Sequence, residues 1–182
     1  DFHVLGDPQP DFYGGIDNTL SYRNFSLDFF FQGTYGNKIF NTLTQTAFFG
    51  RAGENKYRSV LKRWTPDNPT SNIPRAGTVA SFSEIFNNSE EIEDGSYLRL
   101  KNIRLAYSLP AVQDRSYLKN FRSVTFYVSA QNLLLFSPFK LFDPETTRYG
   151  NGSNEYSNIL AGFADGAYPY AKTYTVGVSL GL

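Results

Sequence analysis

The chain contains no cysteine, which removes a disulfide framework, zinc-thiolate sites and a thiol nucleophile from consideration. It has a single histidine, His3, near the start of the sequence and outside any patterned segment. Neither a Ser-His-acid triad nor a histidine-rich metal site can be assembled from these residues alone. Charge of one sign is not in excess either: 17 Lys and Arg balance 17 Asp and Glu. With no basic field to attract a phosphate backbone, nucleic acid is set aside as a partner. Long apolar runs are missing too. The longest uncharged ones, such as Leu133-Leu134-Leu135-Phe136, fall far short of the roughly 20 residues that a membrane helix needs. The opening Asp1-Phe2-His3-Val4-Leu5-Gly6-Asp7-Pro8 lacks the basic start and apolar stretch of a signal peptide. A secreted or membrane chain would therefore have lost its beginning.

What is abundant is aromatic: 17% of the 182 residues, with 13 Tyr and 17 Phe against one Trp. Together with a negative mean hydropathy, this suits a β protein with aromatic-rich surfaces. Periodicity says the same. The stretch Lys172-Thr173-Tyr174-Thr175-Val176-Gly177-Val178-Ser179-Leu180-Gly181-Leu182 alternates to its last residue, with Tyr174, Val176, Val178, Leu180 and Leu182 on one face and small or polar residues on the other. That is the period of a half-buried strand. Phe12, Ile16, Leu20 and Tyr22 alternate with small or polar residues, Arg23-Asn24 is a tight-turn candidate in which Asn can take positive φ, and Phe25, Leu27, Phe29, Phe31 and Tyr35 alternate again. Ile103, Leu105, Tyr107 and Leu109 share a parity, whereas Leu98 and Leu100 carry the opposite one, so a bulge is expected near Lys101. Val124, Phe126, Val128 and Ala130 mark a further strand. The expected strands are about 12–22, 25–35, 96–109, 123–131 and 172–182, with long connections at about 36–94 and 133–170. Within the first connection, Tyr57, Val60, Leu61 and Trp64 fall at helical spacing before Thr65-Pro66.

Short, long, short, long is the order of connections, and transmembrane barrels have that asymmetry, with short turns at one end and long loops at the other. Tyr22, Phe25, Tyr107 and Phe121 would share the short-turn rim, and Phe12, Tyr35 and Tyr174 would lie toward the long-loop rim, as two aromatic girdles. The expected fold class is all-β, an antiparallel transmembrane β-barrel. The smallest membrane barrels need about eight strands, so the five-strand run would be a portion of a larger one. The alternative is a soluble β-sandwich that binds glycans through exposed aromatics and turns its apolar faces to an internal core.

Candidate chemistry is sparse. Asp143 and Glu145 flank one proline, and with Asn151, Asn154 and Glu155 they offer oxygen ligands for Ca²⁺, but the spacing matches no EF-hand and turn chemistry accounts for the same residues. Gly150-Asn151-Gly152 lacks the third glycine and the strand-to-helix setting of a dinucleotide loop. No metal or cofactor is assigned and no catalytic residue is named. Trp64, Tyr149 and Tyr156 sit in the long connections, where aromatic faces could stack on sugar rings or line a peptide path; local loop packing is the competing role.

Several motifs occur in order along nearly the whole chain: Pro10-Asp11-Phe12-Tyr13-Gly14-Gly15-Ile16-Asp17-Asn18, Tyr22-Arg23-Asn24-Phe25-Ser26-Leu27, Arg63-Trp64-Thr65-Pro66-Asp67-Asn68-Pro69, Ile73-Pro74-Arg75, Asp94-Gly95-Ser96-Tyr97-Leu98-Arg99-Leu100-Lys101-Asn102-Ile103, Ser129-Ala130-Gln131-Asn132-Leu133 and Tyr168-Pro169 with Lys172-Thr173-Tyr174-Thr175-Val176-Gly177. In these the sequence resembles the C-terminal part of the SusC/RagA family of TonB-dependent outer-membrane transporters. The resemblance implies a plugged barrel of about 22 strands that imports oligosaccharides or peptides and is not an enzyme. It also implies partners: the remainder of the barrel and its plug, a SusD-like surface lipoprotein, the TonB complex reached through parts outside this chain, and outer-membrane lipid. Leu182 stands where chains of the family usually end in an aromatic residue.

Overall fold

A computed structural model describes residues 3–43, 55–73, 75, 89–110, 120–140, 143–145, 161–164 and 166–182. In chain order the strands are β1 (Phe12–Tyr22), β2 (Phe25–Tyr35), β3 (Lys38–Asn41), β4 (Ile92–Asp94), β5 (Tyr97–Ser108), β6 (Ser123–Phe136), β7 (Phe163–Ala164) and β8 (Thr173–Gly181). They fall into two compact units. One holds a five-stranded sheet of order β1-β2-β5-β6-β8, antiparallel at every pairing. The other, built from the long connections, holds a three-stranded sheet of order β4-β3-β7.

The hairpin of the larger sheet forms because two alternating runs meet at a two-residue turn. β1 and β2 pair without a slip from Phe12↔Tyr35 to Tyr22↔Phe25. Positive φ falls on Arg23, at 53°, and not on Asn24 as the sequence suggested. Asn24 has a different task. Its side-chain amide donates to the Ser108 carbonyl at 3.0 Å and its own carbonyl accepts from Ser108 N–H at 2.8 Å, which ties the turn to the end of β5.

Lys101 is the bulged residue of β5. The β2–β5 register steps from Phe30↔Asn102 to Phe31↔Leu100, and the β5–β6 register shifts at the same place. An extra residue there restores the parity that the sequence breaks, so Leu98 and Leu100 share a face with Ile103 and Leu105. β6 continues to Phe136, beyond the expected end at Gln131. Asn132, in the left-handed region at φ 52°, interrupts the alternation without ending the strand.

The long connections are not structureless. β3 pairs antiparallel with β4 and parallel with β7. Ile39 and Asn41 are buried, and the Asn41 side-chain amide donates to Glu93 Oε1 at 2.8 Å. Phe40 and Phe163 pack ring to ring at 5.1 Å. Where helical spacing was expected at Tyr57, Val60, Leu61 and Trp64, the chain makes a 3₁₀ turn, Arg58–Lys62. Strands of two to four residues carry no readable period, which is why these connections looked like loop in the sequence.

Candidate lipid-facing and lumen-facing surfaces

The register of the larger sheet sorts its side chains into rows that cross all five strands. Leu20, Leu27, Leu105, Val128 and Val176 are successive partners, and the next row of that face runs Tyr22, Phe25, Tyr107, Phe126 and Val178. Cross-strand pairs of this kind contribute about 0.2–1 kcal/mol each. Phe25 and Tyr107 pack with centroids 4.7 Å apart, and Phe12 stacks on Tyr35 at 5.2 Å. Tyr174 shares its row with Ala130, Ile103 and Phe29 instead of standing with Phe12 and Tyr35. This face is open. Val176 is 81% exposed and Tyr174 68%, and Leu20, Phe126, Val178 and Leu180 are exposed as well. Among the described residues nothing supplies the covering layer that a sandwich core would need.

The opposite face is polar. Thr19, Asp28, Arg104, Ser129 and Thr175 are its successive partners. Thr19 Oγ1 donates to Asp28 Oδ1 at 2.8 Å, and the Arg104 guanidinium lies 3.6 Å from Asp28 Oδ2 and 4.7 Å from the Tyr127 ring centroid. Two aromatics on this face are seated over glycines: the Phe30 ring lies where a Cβ on Gly15 would come within 2.8 Å, and a Cβ on Gly177 would overlap the Tyr127 ring. Near the bulge, Lys101 Nζ stands 4.8 Å and the Arg99 guanidinium 5.6 Å from the Tyr170 ring, and Asn132 donates to the Ala171 carbonyl at 3.2 Å. Cation–aromatic contacts and one hydrogen bond from a side-chain amide thus fix the approach to β8.

Of the sequence-derived ligand candidates, Trp64 is exposed and sits beside Ser71, Asn72, Ile73 and Arg75 around a recess of about 390 Å³. The turn that carries it is stapled. Trp64 N–H donates to Ile73 O at 2.8 Å, and Asn68 and Ser71 side chains donate to the Lys62 carbonyl at 3.0 and 2.6 Å. Tyr149 and Tyr156 lie outside the described residues, as do Asn151, Asn154, Glu155 and the 150–152 glycine pair. Asp143 is buried and its Oδ1 accepts the Glu145 N–H at 3.1 Å, so this carboxylate caps its own turn. The Tyr57 phenol is pushed above its ordinary range by burial and then by the Glu93 carboxylate. His3 is exposed. The cross-strand alignment of the polar row and the seating of the Phe30 and Tyr127 rings over glycines were not legible in the sequence. Their signal is the pairing register, which a single strand does not display.

An all-β chain whose antiparallel sheet keeps one apolar and one polar face, both accessible, defines a class: the sheet of a wall, not of a two-layer core. Sequence comparison gives the family. The chain is 44% identical over 177 residues to TonB-dependent receptor P26 of Formosa agariphila, covering 97% of this chain and 17% of that protein. It is 37% identical over 183 residues to TonB-dependent receptor P3 of the same organism, covering 99% of this chain and 17% of that protein. Among solved structures it is similar to the RagAB peptide importer in the closed-closed state, with a TM-score of 0.75 and 27% identity over 97% of this chain and 18% of that one. It is likewise similar to the open-open state, with a TM-score of 0.72 and 27% identity over 96% of this chain and 17% of that one. No family model matches the chain. These matches make the chain a fragment of SusC/RagA type from a TonB-dependent receptor, and it spans 17% of the length of the curated relatives it matches.

Proposed function

We propose that the five-stranded sheet is part of the wall of a larger outer-membrane barrel, one of about 22 strands, that imports nutrients under TonB control. The observation that carries this reading is the unbroken apolar row Leu20–Leu27–Leu105–Val128–Val176, accessible across five strands and backed by a polar row on the other face. In a membrane such a sheet satisfies its backbone hydrogen bonds between strands, turns the apolar face to lipid and the polar face to the lumen. The chain is the C-terminal part of that barrel, and the connections at about 36–94 and 137–170, the latter starting after the end of β6, form its extracellular mouth. A SusD-like surface lipoprotein caps the mouth, while the plug and the TonB-contacting segment come from parts of the protein outside this chain. Trp64, Tyr149 and Tyr156 contact cargo at the mouth. The cargo is oligosaccharide or peptide, and no bond is made or broken during passage. Similarity to the RagAB peptide importer supports the peptide arm.

The test is growth of a strain that lacks the intact gene on defined glycans and peptides as sole nutrients. Loss of growth on one of these classes, restored by the intact gene, is the expected result. Unchanged growth and unchanged uptake on every class would overturn the import reading.

A further inference from the structure

The apolar face of the larger sheet is notched where glycines replace side chains. Gly14, Gly33, Leu98 and Phe136 form one cross-strand row, so the two neighbouring strands β1 and β2 contribute no side chain there. A Cβ on Gly14 would meet nothing within 4 Å, which means that Gly14 opens onto free space. The result is a groove of about 700 Å³ running across β1, β2, β5 and the end of β6. That size is within the roughly 300–1,000 Å³ of small-molecule sites. Its walls are Phe12 and Tyr35 on one side and Ile16 and Phe31 on the other, while Leu98 and Phe136 continue the glycine row at its inner end. No charged side chain lines it, and its hydroxyl-bearing residues on this face, Ser96, Ser137 and Tyr35, gather at the end of the strands that carries the long connections.

We propose that this groove is a binding site for one acyl chain of a membrane lipid, with the lipid's polar part toward the hydroxyl-bearing end. The inference rests on the reading that this face meets lipid. It goes further by assigning a seated lipid to one place on it. The chemistry excludes the cargo classes: a sugar or a peptide backbone in a groove without charge and with hydroxyls only at its end would leave most of its polar groups unpaired. An acyl chain has no such groups. The groove is bordered by the apolar row Ile16–Phe31–Leu100–Leu134, so a chain in it remains in the apolar layer.

The experiment uses the intact transporter in vesicles of phosphatidylethanolamine and phosphatidylglycerol, with a trace of phosphatidylethanolamine that carries a photoactivatable diazirine on one acyl chain. Labelled positions are mapped after irradiation. Leu98, Leu20 and Leu180 are the same residue type with similar exposure, 47%, 54% and 53%, and only Leu98 lines the groove. Several-fold excess labelling at Leu98 and Ile16 is expected, falling to the level of Leu20 and Leu180 in Gly14→Trp and in the smaller filler Gly14→Leu. Equal labelling at all of these leucines, or protection of Leu98 alone, would overturn the acyl-chain site while leaving the lipid-facing reading standing. Absence of labelling from the whole face would overturn that reading as well.

Discussion

Two glycines one pairing apart in the same row carry opposite consequences for substitution. At Gly33 an added Cβ would lie 2.5 Å from the Tyr97 carbonyl oxygen, a backbone atom fixed by the β2–β5 ladder, so neither partner can yield cheaply. Gly33→Ala is expected to cost about 1–3 kcal/mol, the range of overpacking, and to lower the temperature at which the intact barrel loses its heat-modifiable mobility on gels. Gly14→Ala meets open space and removes a flexible residue from a strand, so it should be neutral or stabilising by about 0.5–1 kcal/mol. Equal losses at both sites would show that backbone approach at Gly33 does not set the packing. Arg104 and Asp28 lie on the other face, 3.6 Å apart and about a third exposed, so their pairing is worth about 0.2–1 kcal/mol and is not what holds β2 to β5. The ladder and the apolar row do that.

For whole elements, the bulge at Lys101 does more than any single contact. It lets one strand present Leu98 and Leu100, then Ile103, Leu105 and Tyr107, to the same side despite their opposite parities. Deleting Lys101 should turn every residue on one side of it over to the wrong face. Folded-barrel yield is expected to collapse in the deletion but to remain near normal in Lys101→Ala, and normal yield for the deletion would show that the faces are not fixed by this residue. The parity slip was legible in the sequence because it breaks an otherwise regular pattern, as were β1 and β2, whose apolar positions alternate over 11 residues each. The end of β6 was not legible: Leu133-Leu134-Leu135-Phe136 is apolar on both faces and follows a left-handed Asn132, so period 2 vanishes while the ladder continues. β3, β4 and β7 were hidden by their length. The turn was placed correctly, but positive φ fell on Arg23, and Asn24 is instead held by Ser108, a partner 84 residues away that the local sequence does not reveal. Of the candidate site, Trp64 could be named from the sequence, but its neighbours Ser71 and Ile73 come close only through the Asn68 and Ser71 staples.

At the scale of the whole molecule, β1 and β8 are the outer strands of the larger sheet, each with one edge unpaired by it, and the apolar face between them is broad and accessible. Such edges and such a surface drive association in water. Residues 1–182 expressed alone in detergent-free buffer should elute as aggregate in size-exclusion chromatography, and a monomer with a cooperative melt would contradict the wall reading. The most direct measurement concerns which face meets lipid. Val176 and Thr175 are neighbours in the middle of β8, with side chains on opposite faces of the sheet and partners Val128 and Ser129. A lysine on the lipid face near the bilayer centre costs about 2–4 kcal/mol, whereas a lumen-facing one can be solvated. Folded-barrel yield in the outer membrane should therefore drop strongly for Val176→Lys of the intact protein and only mildly for Thr175→Lys. Equal loss in both, or greater loss for Thr175→Lys, would contradict the account.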